Sequence, residues 1–172
     1  GEVKNQICDR IVSAFSEGED SRADYKYYPD KVAEPYRSRR VACGMALYGA
    51  LGIERSDRER RREQWVKNYQ GFGAPVELFI LIDEDLEQGS WVDMGMFIQN
   101  VMLAARAFGL ETCPQAAMAE YPDIVREILD LPDSLKVVCG IAMGYPDRDD
   151  PVNRYRTERE EVDSFTRWYG LG

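Results

Sequence analysis

The sequence predicts an α+β fold, a three-layer α/β/α arrangement with a sheet between helices. Two observations carry that expectation. Residues 76–82 (VELFILI) and 136–144 (KVVCGIAMG) are apolar runs of strand length, the pattern of strands covered on both faces. Around them lie stretches with helical apolar spacing, one of which, residues 91–108, is apolar around its whole axis. At 172 residues the chain is long enough for one sizeable core. It is therefore read as a single domain, 1–172, with 146–172 as an extended C-terminal arm.

Taken in order, residues 3–17 form a helix with Val3, Ile7, Ile11, Ala14 and Phe15 near one stripe. Residues 18–35 hold Pro29 and Pro35 and form a long excursion, a length uncommon unless the loop covers something. Residues 36–50 are a second helix with Val41, Met45 and Tyr48 on its apolar side. Ser56-Asp57-Arg58-Glu59 has the form of a capping box, so a third helix starts there and runs to about Gly71. The first strand follows, interrupted only by Glu77.

Ser90-Trp91-Val92-Asp93 resembles a cap and opens the helix 91–108. An all-round apolar helix in so small a domain predicts that one face meets another subunit. Its amides Gln99 and Asn100 are then expected to hydrogen-bond across a dimer. Pro122 suits the first turn of a helix ending near Leu129, which Pro132 closes. After the second strand, residues 146–161 are charged and extended, and residues 162–168 form a short helix or docking segment.

Composition excludes several functions. Net charge is −9, against the positive field that nucleic-acid binding needs; the arginines at 58, 60, 61 and 62 are interleaved with acids and form a solvated helix face. No apolar run reaches membrane-span length. Cys8, Cys43, Cys113 and Cys139 are widely spaced, as buried free thiols of a cytosolic protein would be. Asp147, Asp149 and Asp150 cluster without the glycine and terminal glutamate of a calcium loop. Histidine is absent, which removes Ser-His and Cys-His couples and His-bearing metal sites. An enzyme built this way would leave its hard chemistry to a cofactor.

The candidate site is the segment Pro114, Gln115, Ala116, Ala117. Small side chains there leave main-chain N–H groups uncovered, so a flat, electron-rich ligand could approach the backbone. Arg154, Arg156 and Arg159 in the tail could fork onto phosphate oxygens. Trp65, Tyr69 and Phe72, at i, i+4 and i+7, are expected to share a face and could line a substrate pocket.

These segments, with Gly49 to Ile53, Gly73 to Val76 and Cys139 to Tyr145, make the chain resemble the FMN-dependent nitroreductase family from about Tyr36 to Trp168. The resemblance implies a homodimer with a central, mostly antiparallel sheet flanked by helices. FMN would lie at the dimer interface, with NAD(P)H as hydride donor and a nitroaromatic, quinone or similar flat electrophile as acceptor. It implies that Pro114, Gln115, Ala116 and Ala117 lie against the isoalloxazine, with Ala116 and Ala117 N–H groups near N5 and O4. Arg159, Arg156 and Arg154 match the phosphate end, and Trp65, Tyr69 and Phe72 the roof of the pocket. The family's Arg-Ser-x-Arg and Gln-Pro-Trp segments do not occur here, so the chain is expected to start beyond them. A flavin-dependent dehalogenase or other reductase of the same fold is one alternative. A non-catalytic dimeric module lacking the phosphate clamp is another.

Overall fold

The computed structural model describes residues 1–170. In chain order the elements are α1 (Glu2–Glu17), α2 (Tyr36–Ala50), α3 (Arg58–Tyr69), β1 (Val76–Asp83), α4 (Gln88–Ala107), β2 (Glu111–Gln115), α5 (Pro122–Leu129), β3 (Leu135–Gly144) and α6 (Val162–Phe165). They fall into two compact units. One comprises Gly1–Val32 and Asp57–Pro146; the other comprises Ala33–Ser56 and the chain from Asp147 on.

The first unit holds a three-stranded antiparallel sheet in the order β1-β3-β2. The two apolar runs become β1 and β3, paired from Val76↔Met143 to Asp83↔Leu135 with a register shift after Ile80. Side chains alternate between two faces. On one face α1, α3 and α5 close a core around Ile7, Ile11, Met118, Val125 and Val137, which Phe79 and Leu81 of β1 join. On the other, Ile80, Ile82, Val138, Cys139 and Ile141 pack with Trp91, Met94 and Ile98 of α4.

Local chemistry explains most of the boundaries. Helix α1 turns its Ile7, Cys8, Ile11 and Ala14 stripe inward and stops at Gly18, whose φ of 79° lets Glu19 N–H reach Ala14 O at 3.0 Å. In α5 Pro122 occupies the first turn, and Asp130, at φ 52°, ends the helix. The excursion after α1 does cover something. Asp24 Oδ2 accepts from Arg126 Nη1 at 2.7 Å and from Val137 N–H at 2.8 Å. Tyr25 donates to Val138 O at 2.6 Å while its ring tilts against Trp91.

Four expectations need correction. The cap of α3 is Asp57, which accepts from Arg60 N–H at 3.1 Å, one residue beyond Ser56. The helix ends at Tyr69; the next turn, Gly71–Gly73, holds Phe72 at φ 51°, so the Trp65, Tyr69, Phe72 stripe is broken. Helix α4 starts at Gln88, earlier than the Ser90 cap, because Glu87 is the extended residue before it. The segment holding the candidate site, for which no strand was expected, carries one: 111–115 form the edge strand β2, where Pro114 is tolerated because an edge needs only one side of the ladder.

Helix α4 is not enclosed by its own chain. Ala105 is its only buried residue, whereas Val92, Met96, Phe97 and Leu103 are more than half exposed, and Gln99 and Asn100 on the same helix are exposed too. The thiols also divide, Cys8 and Cys139 buried and Cys43 and Cys113 exposed, all four free.

In the second unit Arg39 pairs with Glu160 at 2.6 Å, joining α2 to the tail. The tail turns at residues Pro151–Asn153, where Asp150 accepts from Val152 N–H at 2.9 Å. Val41 and Met45 of α2 are exposed within this unit, and Tyr48 is half-buried. Among the described residues no helix is long and apolar enough to cross a membrane.

Candidate functional site

The segment picked out by its small side chains lies at the end of β2 and in the 3-10 turn Ala116–Ala119 that follows. Pro114 is exposed, Gln115 buried, Ala116 half-buried and Ala117 buried at the limit of the class. The ladder stops at the pair Gln115↔Gly140. Beyond it the chain enters a helical turn, whose first N–H groups have no acceptor within the turn. With only methyl side chains at 116 and 117, those amides lie under a thin cover. By donor type they fit a planar ligand rich in acceptor atoms, such as a flavin ring, with Ala116 the half-buried position of the turn.

Gln115 anchors this turn from below. It is 3% exposed, and its Nε2 donates to Asn68 O, near the end of α3, at 2.6 Å. Met118, fully buried, packs beneath the turn. The bare backbone of Gly140 makes room for it: a Cβ there would lie 2.6 Å from Met118 Cγ. Both anchors tie the segment to the closed side of the sheet.

The three aromatic candidates are brought near one another but do not form one wall. Tyr69 is 1% exposed and belongs to the core, against Phe15 and Tyr121. Its hydroxyl accepts from Trp65 Nε1 at 3.0 Å and donates to Glu120 Oε2 at 2.5 Å. Burial, then the Glu120 bond, pushes the phenol well above its ordinary range, so it stays protonated. Trp65 and Phe72 are each more than two-fifths exposed and can offer ring surface to a ligand.

The three arginines belong to the second unit. Arg154 bonds Arg148 O and Asp149, Arg156 bonds Asn153 O and Tyr155 O, and Arg159 bonds Thr157 Oγ1 at 2.6 Å. All three are exposed, and among the described residues these bonds go to groups of their own tail.

Glu77 escaped attention as a site residue. Its interruption of an apolar run was visible, but its depth was not. Burial pushes its carboxyl up to about 7, opposed by Lys4.

An antiparallel sheet between helices defines the class as an α+β protein. Residues 11–145 match the nitroreductase family, and the chain belongs to that family. It is 40% identical over 171 residues to a 4-nitrobenzoate reductase of Pseudomonas putida, covering 99% of this chain and 74% of that protein. It is 35% identical over 167 residues to a chloronitrobenzene nitroreductase of Comamonas testosteroni, covering 96% and 74%. Among solved structures it matches the FMN and NADPH-dependent nitroreductase NfnB from Sphigopyxis sp. strain HMH, with a TM-score of 0.96 at 38% identity over 99% of this chain and 77% of that one. The FMN-dependent NfnB from Mycobacterium smegmatis, in complex with NADPH, matches with a TM-score of 0.93 at 30% identity, over 98% and 75%.

Proposed function

We propose that the protein is a cytoplasmic, homodimeric FMN-dependent oxidoreductase that passes hydride from NAD(P)H to nitroaromatic, quinone or similar flat electrophilic acceptors. The observation that carries this reading is the 114–117 segment at the end of an edge strand, where Pro114 is exposed and Ala116 half-buried. Relatives named as nitrobenzoate and nitrobenzene reductases, and neighbours named as FMN-dependent, support it.

Bound FMN would supply the two-electron relay between nicotinamide and acceptor. The chain's own residues have simpler tasks. The amides of Ala116 and Ala117 would hold the ring by fixed dipoles, while Pro114 and Gln115 set the course of the backbone. Arg159, Arg156 and Arg154 would clasp the phosphate with a charge that no ordinary pH removes. Trp65 and Phe72 would offer flat apolar surface to an acceptor, with Tyr69 fixing Trp65 from the core through its 3.0 Å bond. No side-chain base is needed if water returns the protons.

The exposed apolar residues of α4 support a homodimer, since a second copy would cover them. The test is to purify the full-length protein, look for flavin absorption, and follow NAD(P)H oxidation with a nitroaromatic. Absence of flavin after reconstitution would overturn this reading.

A further inference from the structure

The closed side of the sheet contains three oxygen atoms sealed from solvent that accept no hydrogen bond: Glu77 Oε1, Glu77 Oε2 and Gln115 Oε1. Buried polar atoms without partners are few in folded proteins, and each calls for a physical reason. Here all three lie on one face. Glu77 pairs with Ala142 and Gln115 with Gly140, and those alternate positions of β3 point the same way.

The acid's oxygens lie over Gly140 and Gly71. Two glycines make its niche: a Cβ at Gly140 would collide with Glu77 Oε1, and one at Gly71 would lie 2.5 Å from Oε2. Gln115 stands directly across the ladder from Gly140, where facing Cβ positions are roughly 5 Å apart. The Glu77 oxygen over Gly140 is therefore within reach of the Gln115 side chain, either directly or across one water.

Charge decides what the niche can contain. A carboxylate there would turn negative oxygens toward the acceptor oxygen of Gln115. The titratable groups facing it are Lys4 and Cys8 from α1, Cys113 from β2 and Cys139 from β3. Lys4 donates its Nζ to Gln70 O at 3.1 Å rather than to the acid. The thiols bring no cation: desolvation raises all three, even Cys113 with its exposed surface, and the Glu77 charge adds to it, at Cys8 after the opposing effect of Lys4. One proton on Glu77 resolves two of the orphans together, because it turns an acceptor into a donor and gives Gln115 Oε1 its partner.

We propose that Glu77 is a positioning residue that stands as a neutral carboxylic acid and donates, directly or across one water, to Gln115 Oε1. The chain of bonds then runs from β1 through Gln115 to Asn68 O and clamps the strand end from which the 114–117 turn departs. That this turn holds a flavin rests on the function proposed above. That Glu77 keeps its proton does not.

The pH dependence has a definite sign. The folded carboxyl, at about 7, lies above the ordinary value of 4.5, so between those limits the folded state binds more protons than the unfolded one. Glu77's contribution to stability is therefore full below pH 4.5 and falls as pH rises through 7.

The experiment uses the full-length protein, wild type, Glu77→Gln and Glu77→Leu. Infrared spectra at pH 6 should show a buried protonated-carboxyl C=O band that Glu77→Gln lacks. Melting temperature between pH 5 and 8 should fall for wild type and be flatter for Glu77→Gln, whose amide donates at every pH. Titration with FMN should show Glu77→Gln close to wild type at low pH, while Glu77→Leu binds about tenfold more weakly, the scale of one lost hydrogen bond. No acid band in the wild type, or an unchanged pH slope in Glu77→Gln, overturns the proposal. If no form binds FMN, the flavin reading fails, and the infrared band and melting profiles still decide the state of Glu77.

Discussion

The two faces of the sheet are finished to different degrees. On the α1, α3 and α5 side, Ile11, Met118, Val125 and Val137 are fully sealed within one chain. On the α4 side the strand residues are buried, but the helix covering them leaves Val92, Met96, Phe97 and Leu103 facing outward. The first face is a completed core. The second is half of one, in a helix with too little polar surface to stand against water alone. The difference assigns separate tasks: the closed face fixes the fold and anchors the candidate turn through Gln115 and Met118, while the open face is the surface on which the proposed second copy would sit.

Substitutions can test that contrast. On the closed face Ile11→Ala should cost about 4 kcal/mol in chemical denaturation, because neighbours from three helices hold the cavity open. A cost comparable to that of a surface change would show that this face is not a sealed core. Arg126→Met comes next at about 3 kcal/mol, since it strands Asp24 in a pair whose side chains are only 12% and 13% exposed. An unchanged melting temperature there would mean that the excursion loop is not held by this pair.

Tyr69→Phe should cost about 1–2 kcal/mol by removing the hydroxyl between Trp65 and Glu120, with Trp65 fluorescence shifting as its partner disappears. At the surface start of α3, Asp57→Ala should cost about 1 kcal/mol, whereas Ser56→Ala should cost almost nothing; the reverse order would restore Ser56 as the cap. The smallest effect on a single chain belongs to the open face. Phe97→Asp with Leu103→Asp should change the stability of the isolated chain by less than about 0.5 kcal/mol, yet light scattering should show monomers where the proposed wild-type dimer is expected. If the doubly charged variant still dimerises, α4 is not the contact.

Much of the architecture was legible because it rests on short-range rules. The stripe of α1, Pro122 opening α5 and the two apolar runs led to elements within a residue or two of those observed. The candidate turn was legible for a similar reason: Ala116 and Ala117 are small wherever the chain puts them. Other parts were not. Nothing in the sequence pattern marked residues 111–115 as a strand, and only pairing with β3 makes them one. Phe72 had helical spacing from Tyr69, but the chain kinks at Gly71, φ 59°, before reaching it. For Tyr69 a pocket wall stood against the commoner core role, and its enclosure by Phe15 and Tyr121 follows from packing between distant segments.

By itself the sequence determined which segments become helices and apolar strands, and it excluded chemistry that needs histidine. Hydrophobic period, caps and composition act over a few residues and need no partner. Tertiary structure decided the edge strand that carries Pro114, the exposed flank of α4 and the sealed niche in which Glu77 meets Gln115. Each depends on which distant surfaces meet, and the cost of burying a charge exists only after they have met.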